Sequence, residues 1–195
     1  MAKLFFMEDY SLHYFLSQID DFRIKRGRRH VLANVLCMAV MAVLSGRTGL
    51  KGIARFMKQN EKELTLLFDL KHGCPSYGTV WTILNAIAFE EMNKALFRWV
   101  NHHAPLQGVD FVSIDGKALC STLNDAGTDL QNFVYLVSIY GTMNKLVYSS
   151  SKNEQKKDHE TEVLRVMLQD IGKNHDLELT DLALRCDAIH CKKKL

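Results

Sequence analysis

Val109-Asp110-Phe111-Val112-Ser113-Ile114-Asp115-Gly116, residues 109–116, is the stretch where the character of the chain changes. The short apolar run from Val109 to Ile114 ends in Asp115-Gly116 and reads as a buried strand entering a turn. Downstream, Phe133 to Tyr140 is β-branched and aromatic, again strand-like. Gly141-Thr142-Met143-Asn144 is a turn, and Lys145 to Ser149 returns as the second arm of a hairpin. A helix signal follows. Asp158 can cap it, Glu160 and Glu162 suit its first turns, Gly172 suits its end, and Val163, Leu164, Met167, Leu168 and Ile171 form one apolar face. Asp181 to Cys186 is a last strand that delivers Asp187. The order strand-strand-strand-helix-strand predicts a right-handed crossover that sets the last strand parallel to the first and beside it.

Upstream of this stretch, residues 1–104 read as helical. Leu12, Phe15, Leu16 and Ile19 recur at helical spacing. The apolar run of His30 to Leu44 stops at Ser45-Gly46. Shorter helices are predicted over Leu50 to Lys58, with Ile53, Ala54 and Phe56 inward, and over Glu61 to Phe68. Gly73-Cys74-Pro75-Ser76 is a breaker, with Ser76 as N-cap of a helix from Tyr77 to Ile87. A final helix from about Glu90 to His102 carries Met92, Leu96, Phe97 and Val100, and Pro105 closes this half. The fold class expected is α+β: a helical domain over 1–104, then an α/β domain over 105–195.

Composition is ordinary for a globular chain of 195 residues, with 47% hydrophobic and 24% charged residues, so a packed core is expected. The formal net charge of +3 is compatible with a nucleic-acid partner. Met1 to Phe6 is too short for a signal peptide, and the longest apolar stretch, Val31 to Leu44, falls short of the roughly 20 residues that span a bilayer. Five irregularly spaced cysteines (Cys37, Cys74, Cys120, Cys186 and Cys191) fit free thiols in a reducing cytosol. The expectation is a cytoplasmic bacterial protein with no membrane segment.

Asp115 follows Val112-Ser113-Ile114, and Asp187 follows Leu184-Arg185-Cys186. On parallel neighbouring strands the two carboxylates would meet at one end of the sheet, where open α/β sheets build their sites. Paired carboxylates suit a hard divalent cation, and such ions assist phosphoryl transfer. Taken alone the pattern is weak, because an aspartate at a strand end is more often a turn or capping residue.

A set of ordered fragments adds to it. They are Asp21-Phe22-Arg23 through Arg28-Arg29-His30, Ala42-Val43-Leu44-Ser45-Gly46, Ile53-Ala54-Arg55-Phe56, Gly73-Cys74-Pro75-Ser76 with Thr79, and Phe97-Arg98-Trp99. They continue with Ile114-Asp115-Gly116-Lys117-Ala118-Leu119, Tyr135-Leu136-Val137-Ser138, Ser151-Lys152-Asn153-Glu154 and Asp187-Ala188-Ile189-His190-Cys191. In this order and spacing the chain resembles the H-repeat-associated (ISAs-type) family of bacterial insertion-sequence DDE transposases. The resemblance implies a helical N-terminal domain and a ribonuclease-H-like catalytic domain, here incomplete. It implies Asp115 and Asp187 as the first and second catalytic carboxylates, holding Mg²⁺ (or Mn²⁺) for DNA strand cleavage and transfer. The family's third acidic residue lies downstream of anything present, so a truncated copy, inactive alone, is expected. The partner implied is DNA, the insertion-sequence ends, with no small-molecule cofactor.

Arg23, Lys25, Arg26, Arg28 and Arg29 form a basic cluster suited to DNA phosphates, and Lys117 joins them as a nucleic-acid-binding candidate. The alternative is a non-catalytic DNA-binding or interaction protein that uses this basic helical half; a partly folded remnant is a third reading. Self-association is expected from an uncovered edge on the last strand. Cys186, His190 and Cys191 do not match a zinc spacing. Cys120-Ser121 has no base placed to activate it, and His102-His103 reads as a helix cap. Trp81, Trp99 and the methionines at 38, 41, 57 and 92 read as core, and Lys192 to Lys194 as a solvated tail.

Overall fold

The computed structural model describes residues 10–105, 111–124, 132–142, 145–153, 165–169 and 183–185. The chain divides into two compact units, Met1–Trp99 and Val100–Leu195. The dividing line falls inside a helix rather than at Pro105.

The first unit is helical: α1 (Leu12–Ser17), a 3₁₀ turn (Lys25–Gly27), α2 (Leu32–Leu44), α3 (Leu50–Gln59), α4 (Glu61–Phe68), α5 (Tyr77–Ala86) and α6 (Phe89–His103). Helix α2 is apolar on nearly all sides, and such a helix is stable only inside a core. Val35, Leu36, Cys37, Met38 and Ala42 have no exposed surface. Leu12 and Leu16 of α1, Ile53 and Met57 of α3, Leu64 and Phe68 of α4, and Val80 and Ile83 of α5 complete the cluster.

The helix ends explain why the chain turns where it does. Beyond α2, Gly46 sits at φ +79, with Gly46 N donating to Val43 O and Arg47 N to Ala42 O. These are the two bonds of a Schellman stop, which needs a left-handed residue. Ser76 caps α5 by accepting from Thr79 N. Just before it, Gly73 is left-handed at φ +65, and a Cβ there would lie 2.8 Å from Glu61 Oε1. That carboxylate accepts from Cys74 N and from Lys58 Nζ, so it ties the breaker to the α3–α4 junction. Asn34, the polar residue inside α2, is satisfied: its Oδ1 lies 2.8 Å from His13 Nε2, and its Nδ2 donates to the terminal carbonyl of α4 at Phe68. A buried amide without such partners would cost about 1–3 kcal/mol.

One core assignment fails. Trp81 is half exposed, because it shares the Tyr77 and Asn85 side of α5, while Val80 and Ile83 take the inner side. Trp99, Met41 and Met92 pack against the core in partly buried positions, and Met38 and Met57 are fully buried.

In the second unit β1 (Phe111–Asn124), β2 (Asn132–Gly141), β3 (Leu146–Asn153) and β4 (Ala183–Arg185) form a sheet of order β3-β2-β1-β4. The first three strands pair antiparallel, and β4 lies parallel to β1, as the crossover argument predicts. Residues 165–169, within the predicted helix, are helical, with Met167 and Leu168 buried. Asp158 and Gly172, its predicted ends, lie outside the described residues. A bulge interrupts β2–β3 near Tyr148, whose hydroxyl donates to Ala104 O just beyond α6. The architecture is α+β.

Candidate functional site

The reading of Asp115-Gly116 as a turn is overturned. Strand β1 continues to Asn124, and Asp115 is the fifth of its fourteen residues. Strand β2 explains why. It offers a partner to every residue from Val112 to Leu119, including Asp115↔Ser138 and Gly116↔Val137, and a continuous ladder outweighs the local turn preference of Asp-Gly. Gly116 pairs with Val137, which is buried.

Strand alternation sorts the surroundings. Val137, Ile139 and Gly141 are buried, and their β1 partners Gly116, Ile114 and Val112 share that face. Ser113, Asp115 and Lys117 share the opposite face with the half-buried Tyr140, Ser138 and Leu136. One strand further, Ser150 pairs with Ser138, and Lys152 with Leu136. Two rows therefore cross the sheet, Asp115-Ser138-Ser150 and Lys117-Leu136-Lys152. Ser138 Oγ donates to Ser150 Oγ at 3.5 Å. The sequence did not single out Ser138, Ser150 or Lys152 for this position, because only the register brings them beside Asp115.

The parallel ladder of β1 and β4 pairs Phe111↔Ala183, Val112↔Leu184 and Ser113↔Arg185. The last described pair, Ser113↔Arg185, precedes each aspartate by two residues in the sequence. Asp187 itself lies outside the described residues, as do Cys186, His190, Cys191 and Lys192 to Lys194. Among the described residues no three His, Cys, Asp or Glu side chains gather as a metal site. Of the cysteines, Cys37 and Cys74 are described as free thiols. Burial pushes the Cys37 thiol up to about 12, so it is no nucleophile at neutral pH.

The basic cluster divides into two kinds. Arg23 is buried, with its Nε and Nη2 on the Asp21 carboxylate at 2.8 Å and Nη2 also on His30 O. Arg28 donates to Arg23 O and Asp21 O, closing the same loop. Lys25, Arg26 and Arg29 are exposed and face solvent. The Arg23 guanidinium holds the Asp21 carboxyl below the usual carboxylate range against the opposing effect of burial.

His30 sits at the base of this loop, with its ring 6.5 Å from that of His72. Burial, then the charges of His72, Arg29 and Arg23, hold its pKa below 6.5. The folded chain therefore binds fewer protons here than the unfolded chain once the pH drops below 6.5. Stability is full above that value and falls as the pH moves from 6.5 down to the depressed folded value. Urea midpoints between about pH 7 and about pH 5 should show this loss, and His30→Gln should flatten it. The Asp21 contribution is lost separately, below 3.8.

Comparison with known proteins adds the family. The DDE_Tnp_1-associated family matches residues 13–100. Two proteins of Escherichia coli (strain K12) named "H repeat-associated putative transposase" are similar along 97% of this chain. YhhI is 23% identical and YbfD 22% identical, and the match covers 48% and 71% of their lengths. An uncharacterized protein in the dhlA 3' region of Xanthobacter autotrophicus is 26% identical over 89% of the chain and 56% of its own length. No solved structure matches. Among the described residues no helix is long and apolar enough to cross a membrane. The chain thus spans about half the length of several of these relatives, and along nearly all of its own length it is similar to proteins named H repeat-associated putative transposases.

Proposed function

We propose that the chain is the DDE transposase component the family implies, with Asp115 and Asp187 sharing a divalent cation, Mg²⁺ or Mn²⁺, in a ribonuclease-H-like sheet. The observation that carries this is the β1–β4 ladder. Its described pairs are parallel and in register through Ser113 and Arg185, which precede each aspartate by two residues in the sequence. Three antiparallel strands followed by a parallel fourth beside the first is the topology expected of such a domain.

The donor set fits the ion: carboxylate oxygens are what Mg²⁺ and Mn²⁺ select. When bound, such a cation activates an attacking oxygen and stabilises the leaving oxygen of a phosphodiester. Asp115 and Asp187 hold it, and Lys117 contacts the DNA backbone. Lys25, Arg26 and Arg29 neutralise phosphates away from the chemistry, while Arg23 and Arg28 shape the loop that presents them. Among the described strands β4 is at the edge of the sheet, and an edge strand favours self-association.

Calorimetric titration of Mn²⁺ into the full chain tests the reading. Asp115→Asn and Asp187→Asn should each weaken binding at least about tenfold, the loss of roughly 1.4 kcal/mol, with unchanged far-UV circular dichroism. Equal Mn²⁺ affinity in wild type and both variants would sink the shared site. Metal-dependent nicking of supercoiled plasmid by the wild-type chain, lost in both variants, would support it further.

A second reading is favoured by the exposure of Lys25, Arg26 and Arg29: the helical unit binds DNA without chemistry. DNA binding that is untouched by both aspartate substitutions, in a chain that takes up no Mn²⁺, would select it.

A further inference from the structure

The cluster before α2 is part of a larger asymmetry of charge. From Phe22 to Asn60 the chain has nine Lys and Arg and no Asp or Glu. Of 25 basic and 22 acidic residues, that leaves 16 and 22 elsewhere, so a stretch of +9 lies in a chain of net +3. Helix α2 occupies thirteen of these positions, carries no charge and is largely buried. The charges are therefore displaced to its two ends. Five precede it, and four follow in the turn and in α3.

Helix α3 carries Lys51, Arg55 and Lys58 at i, i+4 and i+7, all exposed, and turns Ile53 and Met57 into the core. Arg47, also exposed, stands in the preceding turn, where residues 46–52 line a shallow open hollow of about 530 Å³. Lys58 pairs with Glu61 at 2.6 Å. Among the described residues no carboxylate pairs with Arg47, Lys51 or Arg55. Like charges at i and i+4 work slightly against a helix, so Lys51 and Arg55 are not there to hold α3 together.

We propose that this outer face of α3, with Arg47, is a second DNA contact of the helical unit, which takes the phosphate backbone of a duplex without reading its sequence. The inference rests on DNA being the partner, as proposed above, and adds a surface separate from Lys25, Arg26 and Arg29. A row of about 10 Å at 1.5 Å per residue meets a polymer with one charge per roughly 1.7 Å. A lipid surface fits poorly. The apolar side of α3 is already committed to the core, which leaves nothing to insert between acyl chains. An acidic protein fits poorly too, because α3 exposes no apolar anchor beside its charges.

The test is fluorescence anisotropy of the full chain with labelled duplexes of several sequences across a salt series. The double variant Lys51→Gln/Arg55→Gln should lower the slope of log K against log salt by about 2, equally for every sequence. Its melting temperature should stay or rise. Lys51→Arg/Arg55→Lys should retain the slope, and Lys94→Gln, which removes an exposed lysine paired with Glu91 on α6, should leave it unchanged. A wild type that binds DNA and a double variant with the same slope would overturn this surface but leave DNA as the partner. A wild type without salt-sensitive binding would overturn both. A fall in melting temperature that accounts for the lost binding, or tighter binding to anionic vesicles than to duplex, would also overturn it.

Discussion

Replacing Arg23 with alanine should cost the helical unit about 2–4 kcal/mol yet leave the salt dependence of DNA binding where it was. Arg23 is the most buried member of the basic cluster, and its Nε and Nη2 make two bonds to Asp21 and one to His30 O. Its removal strips the partner from a partly buried carboxylate and leaves a buried carbonyl without that donor. Lysine should not rescue it, because one ammonium cannot reproduce the planar fork. Urea denaturation measures the stability, and the anisotropy salt series measures the binding. Neutralising Lys25, Arg26 and Arg29 together should do the reverse, lowering the slope by about 3 at little cost to stability. If Arg23→Ala lowers the slope while the urea midpoint stays put, the strut interpretation is wrong.

Leu36→Ala should be the more damaging change, at about 3–5 kcal/mol. Leu36 has no exposed surface and lies midway along α2, which packs against α1 and α3 within the buried core cluster. Truncation removes its transfer energy and leaves a cavity among neighbours held on several helices, which cannot all close in. Leu66→Ala is the control: Leu66 is 86% exposed on α4, and its loss should stay within about 0.5 kcal/mol. Similar urea midpoints for the two variants would mean that α2 does not organise this core.

Much of the helical unit was legible because its signals are local. Apolar spacing located α2, α3 and α4, Gly46 and Ser76 marked an end and a beginning, and each works through bonds within a few residues. Trp81 was misread because a large aromatic on a helix suggests core, although its alignment with Tyr77 and Asn85 already pointed away from Val80 and Ile83. Asp115-Gly116 was misread for a deeper reason. A turn is the local preference of that pair, and the partner that overrides it, Val137-Ser138, is more than twenty residues away. Arg23 looked like its neighbours in a row of cations; what distinguishes it is a loop that folds back on Asp21 and His30. The candidate site was legible in its aspartates and their motifs. The serines and the lysine of β2 and β3 that share its face were not, since only the strand register assigns them there.

The location of Asp115 inside a paired strand also restricts how this gene can change. Side chains alternate sides at every step, so losing or gaining one codon between Phe111 and Asp115 would carry the acid to the side of Val137 and Ile139. Length variation is better absorbed beyond Leu119, where the pairing with β2 is already irregular before it resumes at Asn124. Divergence along β1 should therefore proceed by substitution up to Leu119 and admit insertions only after it.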